Sequence, residues 1–255
     1  MCSASFPFYL FDLMLPDIDI SRPFYLSRPG PCPYLADQTE RKLFTPLPPS
    51  DEEERAALNA ALCHAGFRRS QSIAYRPACL SCAACLPVRI PVTRFAPSRS
   101  LRRIRARNAD LQLEKHPPRF TPELFALFLA YQKSRHAESD MTQMSETDFR
   151  EMLEVGGAHT ELYVLRDHTG VLQGCLIADD VGDGTSAVYS FFAVDAPRRS
   201  LGTALILSVI EDARTRGLAY VYLGYWIAAS RKMAYKSRFQ PLESLGSSGW
   251  NPVVS

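Results

Sequence analysis

Two hydrophobic rhythms alternate along the chain after residue 50. Leu58, Ala61, Leu62 and Ala65 recur at helical spacing. Ser50 stands before them as N-cap, with Glu53 closing a capping box and Asp51, Glu52 and Glu54 favouring the positive end of the helix dipole. Gly66 predicts the stop. Leu111 to Glu114 alternates like a strand until His116-Pro117-Pro118 breaks it. Thr121-Pro122-Glu123 opens a second helix with Leu124, Phe125, Leu127, Phe128 and Tyr131 on its buried side, and Ser145 with Asp148 opens a third. Three apolar strands follow, 162–165, 171–181 and 185–194, separated by Asp167-His168-Thr169-Gly170 and Gly182-Asp183-Gly184. A helix over about 200–216, a strand over 220–223, a short helix near 230–238 and a strand near 242–245 complete the order. Residues 1–49 are proline-rich and predict extended pieces and turns, with one edge strand near 8–13 and Cys32 in a turn.

That order resembles the N-acetyltransferase-like (GNAT) fold. The turn Arg199-Ser200-Leu201-Gly202-Thr203-Ala204 matches the acetyltransferase pattern Arg/Gln-x-x-Gly-x-Gly/Ala, in which backbone N–H groups and the helix dipole meet a phosphate. The expected architecture is α+β: a Cys/Arg-rich module over 1–105, then a GNAT-like α/β domain over 106–255.

The net charge of +2 points to no partner by itself. Its distribution does. Gly66 to Arg107 holds Arg68, Arg69, Arg76, Arg89, Arg94, Arg99, Arg102, Arg103, Arg105 and Arg107 and no Asp or Glu. Such a field suits phosphates or carboxylates, against the plainer reading of a solvated surface with scattered ion pairs. Arg99, Arg102 and Arg103 suit a phosphate backbone, whereas Arg68, Arg69 and Arg76, interleaved with Phe67 and Tyr75, suit a small carboxylate.

Cys79, Cys82 and Cys85 are spaced to point at one centre, and Cys32 is the natural fourth ligand. Such a set suits a structural or regulatory zinc or an iron–sulfur cluster, unless the thiols simply fill space. Cys2, Cys63 and Cys175 read as terminal or packing residues, and the clustering fits a reducing compartment. The start of the chain has no basic segment, and Asp12 interrupts its apolar run, so neither a signal peptide nor a membrane anchor is expected and the cytoplasm is.

From Tyr220 to Pro241 a strand runs into Gly224 and directs Tyr225, Trp226, Lys232, Tyr235 and Lys236 toward one end of the fold. Aromatics and lysines together can hold a base and stabilise an oxyanion, or form a core with a basic rim. His136, Asp37, Glu40 and Asp195 are lone groups with no visible partner, which makes a structural role the default.

Five stretches resemble the aminoacyl-tRNA–protein transferases of the N-end rule pathway in their compact bacterial form: CPYL at 32–35, GFRRSQSIAYRPACLSCAACLPVRIPV at 66–92, FAPSRSLRR at 95–103, SRHAESDM at 134–141 and YLGYWIAASRKMAYKSRFQPLE at 222–243. The resemblance implies transfer of leucine from Leu-tRNA to the α-amine of proteins beginning with Asp or Glu, with arginine from Arg-tRNA as the alternative donor. It implies no cofactor for the chemistry. Tyr225, Lys232, Tyr235 and Lys236 would line the reacting centre, and Trp226 would help hold the donor. Arg68, Arg69 and Arg76 would bind the acceptor's carboxylate; Arg99, Arg102 and Arg103 would hold tRNA phosphates. The rival readings are an acyl-CoA-dependent acetyltransferase using the 199–204 turn and a nucleic-acid-binding module without catalysis.

Overall fold

The computed structural model describes residues 22–253. The expected strand near 8–13, and Cys2, lie outside them. The first sheet gathers short antiparallel strands in the order β1-β4-β6-β5: β1 (Tyr25–Leu26), β4 (Lys42–Pro46), β5 (Arg68–Ser70) and β6 (Ile73–Pro77). A two-stranded ribbon, β2 (Gly30–Pro31) with β3 (Thr39–Glu40), flanks it. Helix α1 (Glu52–His64) covers the sheet with Leu58, Leu62 and Ala65 against Phe67 and Ala74. Its N-cap is Asp51, whose carboxylate accepts from the Glu54 N–H at 3.0 Å, one residue later than the Ser50–Glu53 box predicts. Both residues can cap, and the acid at 51 is the one in register with the helix.

The second sheet has eight strands in the order β14-β13-β7-β12-β11-β10-β9-β8. In chain order its elements are β7 (Leu86–Pro91), α2 (Arg99–Arg107), β8 (Gln112–His116), α3 (Pro122–Arg135), α4 (Glu146–Glu154), β9 (Thr160–Arg166) and β10 (Leu172–Asp180). They continue with β11 (Gly184–Phe192), α5 (Leu201–Thr215), β12 (Tyr220–Trp226), β13 (Glu243–Gly246) and β14 (Gly249–Pro252). Residues 162–165 of β9 and 174–178 of β10 read as unbroken apolar runs because both faces are covered there. Tyr163, Leu165, Leu176 and Ala178 point to the face packed by α2 and α5, whereas Leu162, Val164, Cys175 and Ile177 point to α3 and α4. The capping box at Ser145 and Asp148 is formed, and Thr121 caps α3 with Pro122 behind it. The helix expected near 230–238 is a single 3-10 turn, Ala234–Arg238. This is the GNAT-like architecture, preceded by the Cys/Arg-rich module.

Two features position the site. Only the first residues of β11 and β12 pair, in parallel, from Gly184 opposite Tyr220 to Ser186 opposite Tyr222. Beyond them the strands part, and each carries an irregularity there. Ile177 faces Tyr189 and Ala178 faces Ala187, which leaves Val188 unmatched on β11; Tyr222 faces Arg89 and Gly224 faces Val88, which leaves Leu223 unmatched on β12. The second feature concerns connectivity. Strand β7 lies between β12 and β13, so residues before 105 supply an interior strand of the large sheet, and the chain passes from one sheet to the other between Pro77 and Leu86.

Candidate active site

The parted strands expose main-chain carbonyls that need donors, and the chain supplies them as two cations, one half-buried and one buried. The Arg68 guanidinium donates to Ala187 O at 2.8 Å, to Val188 O, and to Leu223 O at 3.0 Å, so it bridges both bulges. The Lys236 ammonium donates to Leu223 O at 2.8 Å and to Tyr225 O, with the residue only 5% exposed. Burial, then the nearby Arg68 charge, holds Lys236 well below the ordinary lysine value. Gly224 adopts φ +72°, and a Cβ there would fall 1.6 Å from an Arg68 nitrogen, so only glycine lets the arginine pass.

Tyr225 is 6% exposed, and its hydroxyl donates toward Gly66 O and Tyr75 O at 2.8 and 3.0 Å. Arg69 is buried in a forked pair with Asp179, 2.6 and 2.7 Å, and Asp179 also accepts from Thr160 and Asn59. Trp226 packs against the main core with its indole N–H buried. Sequence patterning assigns Arg68, Arg69, Trp226, Tyr225 and Lys236 to substrate or chemistry; in the structure Arg68, Arg69, Tyr225 and Lys236 bond to groups of the protein itself, and the Trp226 N–H has no partner among the described residues. Arg76 stays half-buried, its guanidinium 5.7 Å from the Phe67 ring centre.

Lys232 and Tyr235 are elsewhere. They line an open cleft of about 440 Å³ beyond the point where β11 and β12 separate. Tyr131, Arg135 and His136 from the end of α3, Ser190 and Phe192 from β11, and Ser200 to Thr203 at the start of α5 form the remaining walls, with Ile206 at the base. Its lining combines apolar groups, Phe192, Leu201, Ile206 and the ring of Tyr131, with Arg135, His136 and Lys232. Among the described residues no carboxylate lines it. Ser200 is left-handed, φ 54°, which turns the chain sharply into α5 and leaves the helix N-terminus open to the cleft. A Cβ on Gly202 would sit 2.7 Å from the Phe192 ring, so the glycine lets helix and strand approach there. Arg199, the matching arginine of the acetyltransferase-like turn, is held away by Asn108 at 3.0 Å and by Asp110.

Patterning singles out Lys232, Tyr235 and the 199–204 turn but not Tyr131, Ser190, Phe192 or Ile206. The last four look like ordinary apolar or strand positions, and only the separation of β11 from β12 turns them into a wall. Arg135 and His136 lie within the SRHAESDM stretch, which was the available signal.

Helix α2 presents Arg99, Arg102 and Arg103 to solvent while Leu101 and Ile104 face α5 and the core. Among the described residues none of the three has a carboxylate partner; Arg102 reaches only Pro97 O, at 2.8 Å. Other arginines of the same acid-free run find acids from distant segments: Arg89 and Arg94 meet Glu243, and Arg105 meets Glu211.

Cys32, Cys79, Cys82 and Cys85 line one small recess of about 70 Å³ beside Glu40 and Tyr75. All four are free thiols. Cys85 is pushed up to about 11 by burial and then by its three cysteine neighbours and Glu40. Among the described residues no three Cys, His, Asp or Glu side chains stand close enough to hold one metal ion.

The sequence matches two family models, one described as arginine-tRNA-protein transferase, N terminus, over residues 30–103, the other as its C terminus over 123–246. Proteins described as aspartate/glutamate leucyltransferase from Parvibaculum lavamentivorans and Paramagnetospirillum magneticum are 50% and 48% identical over 227 residues, 89% of this chain and 93% and 92% of theirs. Among solved structures, the crystal structure of FemX is similar at 11% identity and TM-score 0.46, covering 84% of this chain and 85% of that one. The C-terminal domain of a putative lysylphosphatidylglycerol synthetase from Agrobacterium fabrum is similar at 15% identity and TM-score 0.46, covering 84% and 79%.

Proposed function

The chain belongs to the arginine-tRNA-protein transferase family, and on that premise we propose that it moves leucine from Leu-tRNA to the α-amine of proteins beginning with Asp or Glu, marking them for N-end rule degradation. The observation that carries this reading to the structure is the cleft at the start of α5, whose lining combines apolar side chains with Arg135 and Lys232.

An aminoacyl ester is already activated, so the enzyme has to orient an amine against it and stabilise the oxyanion. No cofactor enters this chemistry. In our reading the leucyl side chain lies on Phe192, Leu201 and Ile206. The terminal phosphate of the tRNA meets the N-terminus of α5. Lys232 and the Tyr235 hydroxyl face the ester carbonyl and stabilise its developing charge. Arg135 takes the acceptor's carboxylate; an amide in that place would leave the guanidinium without a charge partner. Outside the cleft, Arg99, Arg102 and Arg103 hold tRNA phosphates as a sequence-independent grip. Arg68, Arg69, Tyr225 and Lys236 keep the cleft's shape. The Cys32, Cys79, Cys82 and Cys85 recess belongs to the module that carries Arg68, and no step passes through it. Among the described residues no helix is long and apolar enough to cross a membrane.

The test is the mass of an Asp-starting peptide after incubation with the protein and total charged tRNA, beside an Asn-starting control. A leucyl gain on the Asp peptide alone is the expected result. An arginyl gain keeps the reaction and changes the donor; no gain overturns the reading.

A further inference from the structure

The transfer needs a group that takes a proton. An α-amine has an ordinary pKa of about 8, so it must shed protons to attack and to become an amide, and the departing ribose oxygen must gain one. The cleft limits the choice. Among the described residues, its titratable side chains are Tyr131, Arg135, His136, Lys232 and Tyr235, with no carboxylate. Arg135 and Lys232 are cations and have nothing to accept a proton with. Tyr131 and Tyr235 are phenols that burial holds above their ordinary value, so they keep their protons near neutrality. One group is left.

We propose that His136 is the proton carrier of the reaction, a role that rests on the cleft being the place of transfer. The residue ends α3, where its backbone N–H donates to Gln132 O at 2.8 Å, so the main chain is fixed by the helix and the imidazole is free to project into the cleft. Its ring stands edge-on to that of Tyr131, 5.6 Å between centres, and is half-buried. Arg135 from its own helix and Lys232 from the loop after β12 face it, with Tyr131 and Tyr235 completing the surroundings. Burial first, then the charges of Lys232 and Arg135, hold the imidazole below its ordinary value, which keeps it neutral and able to accept at neutral pH.

The step balances without a further reactant. The acceptor nitrogen attacks the ester carbonyl carbon; the N–C bond forms as the carbonyl π pair moves onto oxygen. The nitrogen's proton passes to His136. As the carbonyl re-forms, the bond from carbon to the ribose oxygen breaks and that oxygen takes the proton from the imidazolium. The products are the new peptide amide and a free tRNA hydroxyl, with His136 neutral again.

The experiment is single-turnover transfer from Leu-tRNA to an Asp-starting peptide, followed across pH, for the wild type, His136→Gln, His136→Gly and Lys232→Ala, with thermal melting and Leu-tRNA affinity measured on each. We expect His136→Gln to slow transfer by about 10²–10³-fold at unchanged melting temperature and unchanged tRNA affinity, and to lose the lower of two acid-side inflections of the rate while keeping the upper one, at about 8, that belongs to the α-amine. Imidazole added to His136→Gly restores part of the rate, which a merely structural histidine does not allow. A His136→Gln protein that transfers at the wild-type rate, keeps the lower inflection, or is slow only through weaker tRNA binding overturns the proposal. If Lys232→Ala is slow while His136→Gln is not, the cleft stands and His136 falls; if both are unaffected, the cleft itself is misplaced.

Discussion

Arg69 and Arg102 come from one acid-free run of sequence, and the structure gives them opposite situations. Arg69 on β5 is buried against Asp179, with Thr160 and Asn59 completing the carboxylate's hydrogen bonds. Arg102 on α2 stands in solvent beside Arg99 and Arg103 and meets only a main-chain oxygen. The acid that neutralises Arg69 is 110 residues away in the chain. Local absence of Asp and Glu therefore says little about whether an arginine is paired, because pairing is decided by which strand returns alongside it. What marks the free arginines is periodicity: Leu101 and Ile104 turn inward and Arg99, Arg102 and Arg103 turn outward.

The contrast is broken most severely from the inside. Asp179→Ala leaves Arg69 buried without a counter-charge and is expected to remove about 3–5 kcal/mol of stability, read as the shift in a urea unfolding curve; a loss below about 1 kcal/mol, the scale of an exposed pair, would make Arg69 equivalent to a surface arginine. In the cleft the pattern reverses. Lys232→Ala is expected to lower the transfer rate by about 10²–10³-fold, the scale of removing one oxyanion donor, with the unfolding curve unmoved. On α2, the double change Arg102→Ala with Arg103→Ala is expected to weaken tRNA binding about tenfold and to flatten its dependence on log salt by roughly 2 in slope, leaving both stability and the rate from saturating tRNA alone. A filter-binding series at several salt concentrations checks this, and an unchanged slope would mean that α2 does not contact phosphate.

The smallest effect belongs to Lys236, and it concerns pH. Its folded pKa lies well below the ordinary lysine value. The unfolded chain therefore binds more protons in the interval between the two values, and stability rises with pH there. The contribution is complete above the ordinary lysine range and is lost as pH falls toward the folded pKa. Lys236→Met should flatten that alkaline rise; an identical pH slope in the two proteins would mean that the buried amine does not titrate in this way.

Much of the large sheet was legible in advance. Thr121-Pro122, the Ser145–Asp148 box and the three apolar runs place α3, α4 and β9 to β11 within a few residues, because each signal acts on its own neighbours. The strands β4 to β7 were missed, being short, proline-flanked and shaped by partners far along the chain. Of the candidate site, the sequence brings forward Lys232 and Tyr235, which line the cleft, together with Tyr225 and Lys236, whose polar groups bond to main-chain carbonyls. An aromatic–lysine stretch specifies that its residues are needed and leaves open whether they face the substrate or the carbonyls of two parted strands.

Strand β7 has a consequence for how the protein can be divided. Cut between residues 105 and 106, the large sheet would lose an interior strand while both flanking strands, β12 and β13, stayed on the other fragment. The front fragment would carry that strand as an unpaired plug, and the back fragment a slot of matching hydrogen-bond donors and acceptors. The two pieces would be a complementing pair whose activity reports their association, and gene fusions or truncations that separate them would have to supply a substitute for β7.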